Sequence, residues 1–485
     1  MPKTTRIRNA AWIVAWDRAT NSHGYLTDGD VVFSGDAITY IGKQFDGDVD
    51  ETIDGTDLMV MPGLVDIHSH PSTEPFFRGV REEHGLPSMY MSGLYERGFV
   101  FRPDEPGRQA GKEVAYCEML LTGITTVADL SGNDPGWIDL AARSGLRVFL
   151  APGYASARWH LDNDWDLKYN WDEIGGRHGF DDALKLIDQA IRHPSGRLSG
   201  IVCPSQIDTC TEDLLRDSWQ AAADRNLPFT THCAQSVNEF QEMVKRHGKT
   251  PVQWAKQIGV LGPRAILGHA IFLDEHSWLH WHSHEDLNLL ADSGTSVAHC
   301  PSPFARYGHG MEDFGRYRRA GVNIGIGTDV APHNLIEEMR LAAIVARILA
   351  ENIKTTSTAQ VFHAATAGGA AALGRDDIGR LAPGAKADFV LVDLKNPFMM
   401  PARDPLRSLI YTAADRAIRD VYIAGEQVVH KGKVLTLNHA GALETLTEAQ
   451  QRMLSGARQR DYKGRTADEV MPLSLPPMTP PVGHA

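Results

Sequence analysis

The stretch VDIHSH carries His68 and His70 with one residue between them. In an extended chain that spacing points both imidazoles to the same side, so the two rings can converge on one ion. Further polar residues stand where short apolar runs end: His232 in TTHCAQ, His269 in LGHA, His299 in AHCP and Asp329 in GTD. A single strand-end histidine is commonly a hydrogen-bonded structural residue. Several of them together, joined by a carboxylate, form a candidate metal site. His276, His280, His282 and His284 in HSWLHWHSHEDL are more closely spaced, but they follow a strand rather than end one. That stretch is read as helix surface or loop, without a metal.

Bringing these side chains to one rim requires strands that all end on the same side. From Pro62 to Leu373, the runs GLVDIHS, GITTVADL, LRVFLAPG, LSGIVCPS, LPFTTHC, RAILGHA, TSVAHCP and VNIGIGTD alternate with longer helical stretches. This is the pattern of an α/β fold with a TIM-like (β/α)8 barrel, in which functional side chains sit at the C-terminal strand ends. The barrel is expected over residues 61–375. Both chain ends, 1–60 and 376–440, read as β and are expected to form a second, smaller β-sandwich domain. Residues 441–485 are expected to be a helical segment and a Pro-rich tail. The opening MPKTTRIRNAAWIVAW lacks a small-residue cleavage pattern and reads as a strand.

The formal net charge of -13 opposes binding to phosphate backbones and anionic membranes. No run approaches the ~20 apolar residues of a membrane helix. The expected partner is a small-molecule substrate, with no nucleic acid and no membrane. The 5 cysteines form no CxxC pair, which argues against a disulfide framework or a cysteine zinc site and fits a cytoplasmic protein.

The segments MPGLVDIHSH, EMLLTGITTVADL, TTHCAQ, LGHAIFLDE, SVAHCP, NIGIGTD and ATAGGAAALGRDDIGRLAPGAKADFVLVDL, in that order, resemble the amidohydrolase superfamily from about residue 5 to residue 435. Within it, the chain is similar to the branch of cytosine deaminases and triazine hydrolases, and its pattern is closest to the molinate and phenylurea hydrolases. The resemblance implies that His68, His70, His232 and Asp329 are metal ligands and that His269 orients the attacking water. It implies that Asp329 moves the proton and that His269 and His299 donate to the developing oxyanion. Two-metal members bridge their ions with a carboxylated lysine from the fourth strand, and LSGIVCPSQIDTC has no lysine. One divalent ion is therefore expected. Zinc suits three imidazoles and a carboxylate, and iron, cobalt or manganese could take the same ligands. A homo-oligomer is also expected from the resemblance.

The ring-deaminating relatives carry a glutamate three residues after the fifth-strand histidine, where this chain has Gln235. An amide has no proton to give near pH 7. Gln235 is either a substrate-binding residue or a glutamine with no role in the site. HCPSPFARYG also lacks the polar pair found in deaminases and brings Phe304 close to the substrate. These departures favour hydrolysis of an amide, urea, carbamate or thiocarbamate C–N bond in a small, partly apolar or aromatic molecule. The alternative is deamination of a purine, pyrimidine or triazine ring, with Glu239 or His299 as substitute acid. A non-catalytic scaffold is the third reading. In GYASARWHLDNDWDLKYNWDEIGG, Tyr154 and Trp159 either line the pocket or pack the loop onto the body. Glu74, Arg78, Glu82 and His84 are further polar candidates.

Overall fold

The computed structural model describes residues 2–80 and 89–478. Each of the apolar runs forms a strand: β1 (Leu64–Ser69), β2 (Ile124–Asp129), β3 (Arg147–Leu150), β4 (Leu198–Gly200), β5 (Phe229–Cys233), β6 (Ala265–His269), β7 (Ser296–His299) and β8 (Ile324–Ile326). They pair in parallel as two 4-stranded sheets, β4-β3-β2-β1 and β5-β6-β7-β8. Isolated parallel bridges join the sheets at both pairs of edges: Val202 with Phe229 and Gln206 with His232 on one side, Ser69 with Asp329 on the other.

Side chains alternate along these strands as the pleat requires. Val65, Ile67, Ala128, Phe149, Ile201, Ile266 and Ala298, drawn from both sheets, pack into one interior cluster. Their neighbours Leu64, Val127, Val148, Phe229, Leu267 and Val297 join the larger core, which also holds residues of the surrounding helices. Burial on both faces explains why the strands read as continuous apolar runs. Side-chain caps set the helix starts: Thr211 caps Glu212–Asp224, Ser236 caps Val237–His247 and Asn334 caps Leu335–Leu349. The Ser236 cap matters most for the site, because it leaves only the short link from β5 through Gln235 to position.

The two chain ends build a separate sheet, continuous in its hydrogen bonding but folded so that Phe33 meets Phe389 at 5.1 Å and Tyr422 at 5.9 Å across its own core. It is one 9-stranded sheet. The reason is the long strand Thr4–Asp17, which pairs with Glu51–Asp54 near its start, with Leu58–Pro62 near its end and with Ser22–Ser34 throughout. Its register shifts between Ile7 and Ala10, where Asn9 takes φ 52°. A bulge of this kind bends a strand and lets it serve both halves of a sheet. Leu58 and Val60 face the sheet's own core, whereas Met59 and Met61 face the main body.

The histidine-rich stretch is an irregular loop before the helix Asp286–Ser293. The helix His439–Ser455 packs through Ala442 and Leu446 on Ala110 and Val114. Residues 479–485 of the Pro-rich tail lie outside the described residues. Among the described residues, no helix is long and apolar enough to cross a membrane.

Candidate metal centre

His68, His70, His232 and Asp329 meet, with their ligating atoms all within 4.8 Å of one another. Backbone pairing carries them there. The Asp329 amide donates to the His68 carbonyl at 2.8 Å and the His70 amide donates to the Asp329 carbonyl at 2.7 Å. The chain leaving β8 thus runs beside β1 and presents its carboxylate to the two rings. Asp329 Oδ1 lies 3.3 Å from His70 Nε2 and 3.6 Å from His68 Nε2. Gly268 admits the His68 ring, since a Cβ there would stand 2.9 Å from its Cε1.

The hydrogen bonds of the rings decide what the centre can hold. His70 Nδ1 donates to the Leu130 carbonyl at 3.1 Å and His232 Nδ1 donates to the Ser205 carbonyl at 2.5 Å. Each Nε2 is then a bare lone pair, and the two face each other at 3.2 Å. Burial pushes His70 down to about 4 despite the pull of Asp329, and burial together with His68 and His70 pushes His232 well down. Both rings are therefore neutral near pH 7. Two facing lone pairs repel unless a cation lies between them. His68 is wholly buried and neither ring nitrogen has a hydrogen-bond partner, an uncommon state for a buried polar group. Three imidazoles and a carboxylate fit one divalent ion. Although burial opposes ionisation, His68, His269 and His70 hold Asp329 well below the usual carboxylate range.

His269 completes the rim. Its ring centroid is 4.8 Å from that of His68 and 5.3 Å from that of His232, and Phe304 packs 4.4 Å away. Its Nδ1 has no partner. His269 takes φ 77° and Asp329 φ 59°, left-handed conformations that cost about 1–3 kcal/mol each and occur at functional sites. His299 ends β7 with its ring 5.7 Å from Phe314, and burial pushes it down to about 4. Among the described residues, no ring contact or hydrogen bond joins its side chain to the four clustered residues.

Gln235 is buried, and its amide nitrogen donates to Gln206 Oε1 at 2.5 Å. The pair leaves Gln235 Oε1 as an acceptor and Gln206 Nε2 as a donor. Glu239, the acid considered as a substitute, instead supports the loop: its carboxylate accepts from the amides of Ala234 and Gln235 at 2.5 and 3.1 Å. Burial, reinforced by Asp208, raises its pKa.

Trp159 sits on the hairpin of Ala157–His160 and Lys168–Trp171, donates to Asp208 Oδ2 at 2.9 Å and meets Tyr95 edge-on at 4.8 Å. Tyr154 does not stand with it. Its hydroxyl lies 2.7 Å from Ser218 Oγ and its ring 5.4 Å from Phe180, so it packs against the helices Glu173–Ile191 and Glu212–Asp224 instead of facing the cluster. The residue next to Gly153 points outward because the short strand Gly153–Tyr154 turns that face to the helices.

A buried polar network behind the ligands joins β1 to β8. Asp66 accepts from Thr328 Oγ1 at 2.6 Å and from the His68 amide at 3.1 Å, and burial pushes its carboxyl up to about 6. Ser69 Oγ lies 3.0 Å from His333 Nδ1, and His333 Nε2 lies 2.6 Å from Glu74 Oε1. Glu74 also pairs with Arg78. Glu82 and His84 lie outside the described residues. Asp66, Gln206 and Thr328 fall within segments quoted above but received no role there, and His333 lies outside those segments. The one signal within reach was the alternation of Asp66 with His68 on the same strand face.

The sequence profile described as Amidohydrolase family matches residues 59–428. The 5-methylthioadenosine/S-adenosylhomocysteine deaminase of Natronomonas pharaonis is 28% identical over 403 residues, covering 82% of this chain and 88% of that one. The 5'-deoxyadenosine deaminase of Methanothermobacter thermautotrophicus is 29% identical over 418 residues, covering 84% and 91%. Among solved structures, an adenosine deaminase from Xanthomonas campestris with bound zinc superposes with a TM-score of 0.78 at 25% identity, over 93% of this chain and 99% of that one. A triazine hydrolase from Arthrobacter aurescens gives 0.79 at 23% identity, over 92% and 99%, a likeness of fold alone.

Proposed function

The chain belongs to the amidohydrolase family of hydrolases, and on that premise we propose that it hydrolyses an acyl-type, non-peptide C–N bond. The substrate class is an amide, urea, carbamate or thiocarbamate with an apolar or aromatic portion. The observation that carries this is Gln235: the loop after His232 offers an amide where a ring deaminase needs an acid, and Glu239 beside it accepts from backbone amides. The Gln235–Gln206 pair presents one acceptor and one donor, a complement to the N–H and C=O of an amide or urea.

The two sheets are read as a single (β/α)8 barrel over residues 61–375, supported by the bridges at both pairs of edges. The terminal sheet is the second domain, formed by residues 1–60 and 376–440. His68, His70, His232 and Asp329 would hold one divalent ion, with zinc favoured. When bound, that ion supplies Lewis-acid activation of water and of the substrate carbonyl. The remaining roles belong to the chain. Asp329 takes a proton from the attacking water and returns it to the leaving nitrogen. His269 and His299 donate to the oxygen that gains charge, and Phe304 and Trp159 bound the apolar part of the substrate. A cytoplasmic homo-oligomer completes the reading, in keeping with five free, buried cysteines.

Deamination of a purine-type ring is the second reading, favoured by the names of the relatives. It needs an acid in place of the missing glutamate, and Glu239 with its raised pKa is the candidate. The test is a hydrolysis screen of metal-quantified enzyme with anilides, phenylureas, carbamates and thiocarbamates against aminated purines, pyrimidines and triazines. Organic amine released from the first set supports the proposal. Ammonia released from the second set alone overturns it.

A further inference from the structure

The metal centre is not the only place where unsatisfied polar groups converge. A cleft of about 1110 Å³ lies between the terminal sheet around His23, the helices Phe314–Ala320 and Leu335–Leu349, and the segment that follows them. Its volume is ample for a small ligand, for which about 300–1,000 Å³ is usual. None of the metal-centre residues lines it. Arg318 stands in the helix that leads into the start of β8, whereas the metal cluster gathers at the strand ends. The cleft is therefore at the opposite end of the strands.

Its charge runs against that of the chain. Arg318, Arg347 and Lys354 line it, and none has an acidic partner among the described residues, although the whole chain carries a formal net charge of -13. Its one lining carboxylate, Asp404, is occupied by Arg407 at 3.2 Å and the Tyr25 hydroxyl at 2.9 Å. Arg318 is half-buried, and among the described residues its guanidinium has no side-chain hydrogen bond or ion pair, which leaves it open to an anion.

Polar atoms in the lining are also unsatisfied. Thr356 is 3% exposed and its hydroxyl has no partner, as is true of Arg347 Nε, Tyr411 OH and His23 Nδ1. Thr366 Oγ1 donates to the Phe362 carbonyl at 2.6 Å, so it accepts from His23 Nε2 at 3.0 Å. Nδ1 is then a bare acceptor that calls for a donor. Tyr411 supplies ring surface in the lining, and the buried Phe362 packs edge-on against His23 at 5.1 Å.

We propose that this cleft is a second binding site, separate from the metal centre, for a small aromatic oxyanion that also carries a hydroxyl or N–H donor. The anion lies among Arg318, Arg347 and Lys354, the donor meets His23 Nδ1, and the ring lies along Tyr411. A carboxylate and a phosphate ester share this chemistry, so both are probed.

The test is calorimetric titration of the full, metal-loaded chain with 4-hydroxybenzoate, phenyl phosphate and neutral phenol. One of the two anions is expected to bind at one site per chain, and phenol not to bind. R318E is expected to weaken that anion about tenfold or more, the loss of a charge-assisted contact. It should leave metal content and turnover as they are. R347Q should act in the same direction, and R318E keeps the test open if loss of the Arg347 bond to the Thr356 carbonyl disturbs folding. No binding of either anion up to about 10 mM, or binding that R318E leaves unchanged, overturns the proposal.

Discussion

His70 Nε2 and His232 Nε2 face each other at 3.2 Å while the opposite nitrogen of each ring is held by a backbone carbonyl. The carbonyls of Leu130 and Ser205 thereby fix both tautomers and aim both lone pairs at one point before any ion arrives. Such second-layer hydrogen bonds orient metal-ligating histidines and raise their basicity.

Removing the ion should accordingly cost stability as well as activity. Dialysis against a chelator is expected to abolish turnover and lower the melting temperature. Saturating metal at about 1,000 times its Kd would restore about 4 kcal/mol. Melting curves with and without added zinc check this, and identical curves would refute a metal centre.

Asp329→Asn keeps the size of the side chain but cannot accept and return a proton. Turnover is expected to fall by about 10²–10⁴-fold or more, the usual worth of a positioned acid–base group. Circular dichroism should be unchanged. Metal content measured on the same sample separates loss of the base from loss of a ligand, and near-wild-type turnover would remove Asp329 from the mechanism.

Gln235 and Glu239 separate the two functional readings. Glu239→Gln keeps one oxygen, able to accept from the Ala234 amide, and gives up the weaker bond from the Gln235 amide. It should leave acyl-type hydrolysis within a few-fold of wild type. If the enzyme instead deaminates rings with Glu239 as acid, the same change removes the activity. Gln235→Glu is expected to retain metal and to gain ammonia release from aminated rings, read by a coupled ammonia assay.

The ligand set was legible because it is written locally. His68 and His70 share a strand face, and each remaining ligand stands at the end of an apolar run, so order along the chain nearly gives order around the rim. Phe304 was legible for the same reason, being five residues beyond His299. Tyr154 was not, because aromatic density in a loop leaves open whether a ring faces the pocket or the helices. The terminal sheet was legible as β at both ends, but the bulge at Asn9, which makes it one sheet, has no strong sequence mark. Glu74 and His333 are 259 positions apart in number, and a charge pair formed only by folding leaves no pattern to read.

That pair sets a pH dependence. Burial lowers the pKa of His333, but Glu74 outweighs it and the net shift is upward. Burial raises that of Glu74, but His333 and Arg78 outweigh it and the net shift is downward. The His333 contribution to stability is full below about 6.5 and is lost as pH rises through its higher folded value. The Glu74 contribution is present above about 4.3 and is lost as pH falls through its lower folded value. Stability should therefore fall on the alkaline side as His333 loses its proton. Urea unfolding at several pH values should show a flatter alkaline limb in His333→Asn, and an unchanged limb would count against the pair.

Arg147 opens β3, and its guanidinium donates to Asp388, which lies just before the terminal-sheet strand Phe389–Asp393. Both side chains are buried, at 4% and 1% exposure, so the bond is shielded from water and from salt. Asp388 Oδ1 also accepts from the Ala424 amide at 2.7 Å, and the Asp388 carbonyl accepts from Gly63 at 3.0 Å, directly before β1. One aspartate therefore ties the terminal sheet to two central strands. Arg147→Ala strands a buried carboxylate and should cost about 3–5 kcal/mol, whereas replacing both partners by Met and Asn should recover much of that loss. Urea midpoints of the single and double variants measure the difference. Since Arg147 begins its strand and the metal ligands end theirs, turnover per folded molecule should stay near wild type. A change in turnover without a change in midpoint would mean that this contact tunes the site instead of holding the domains together.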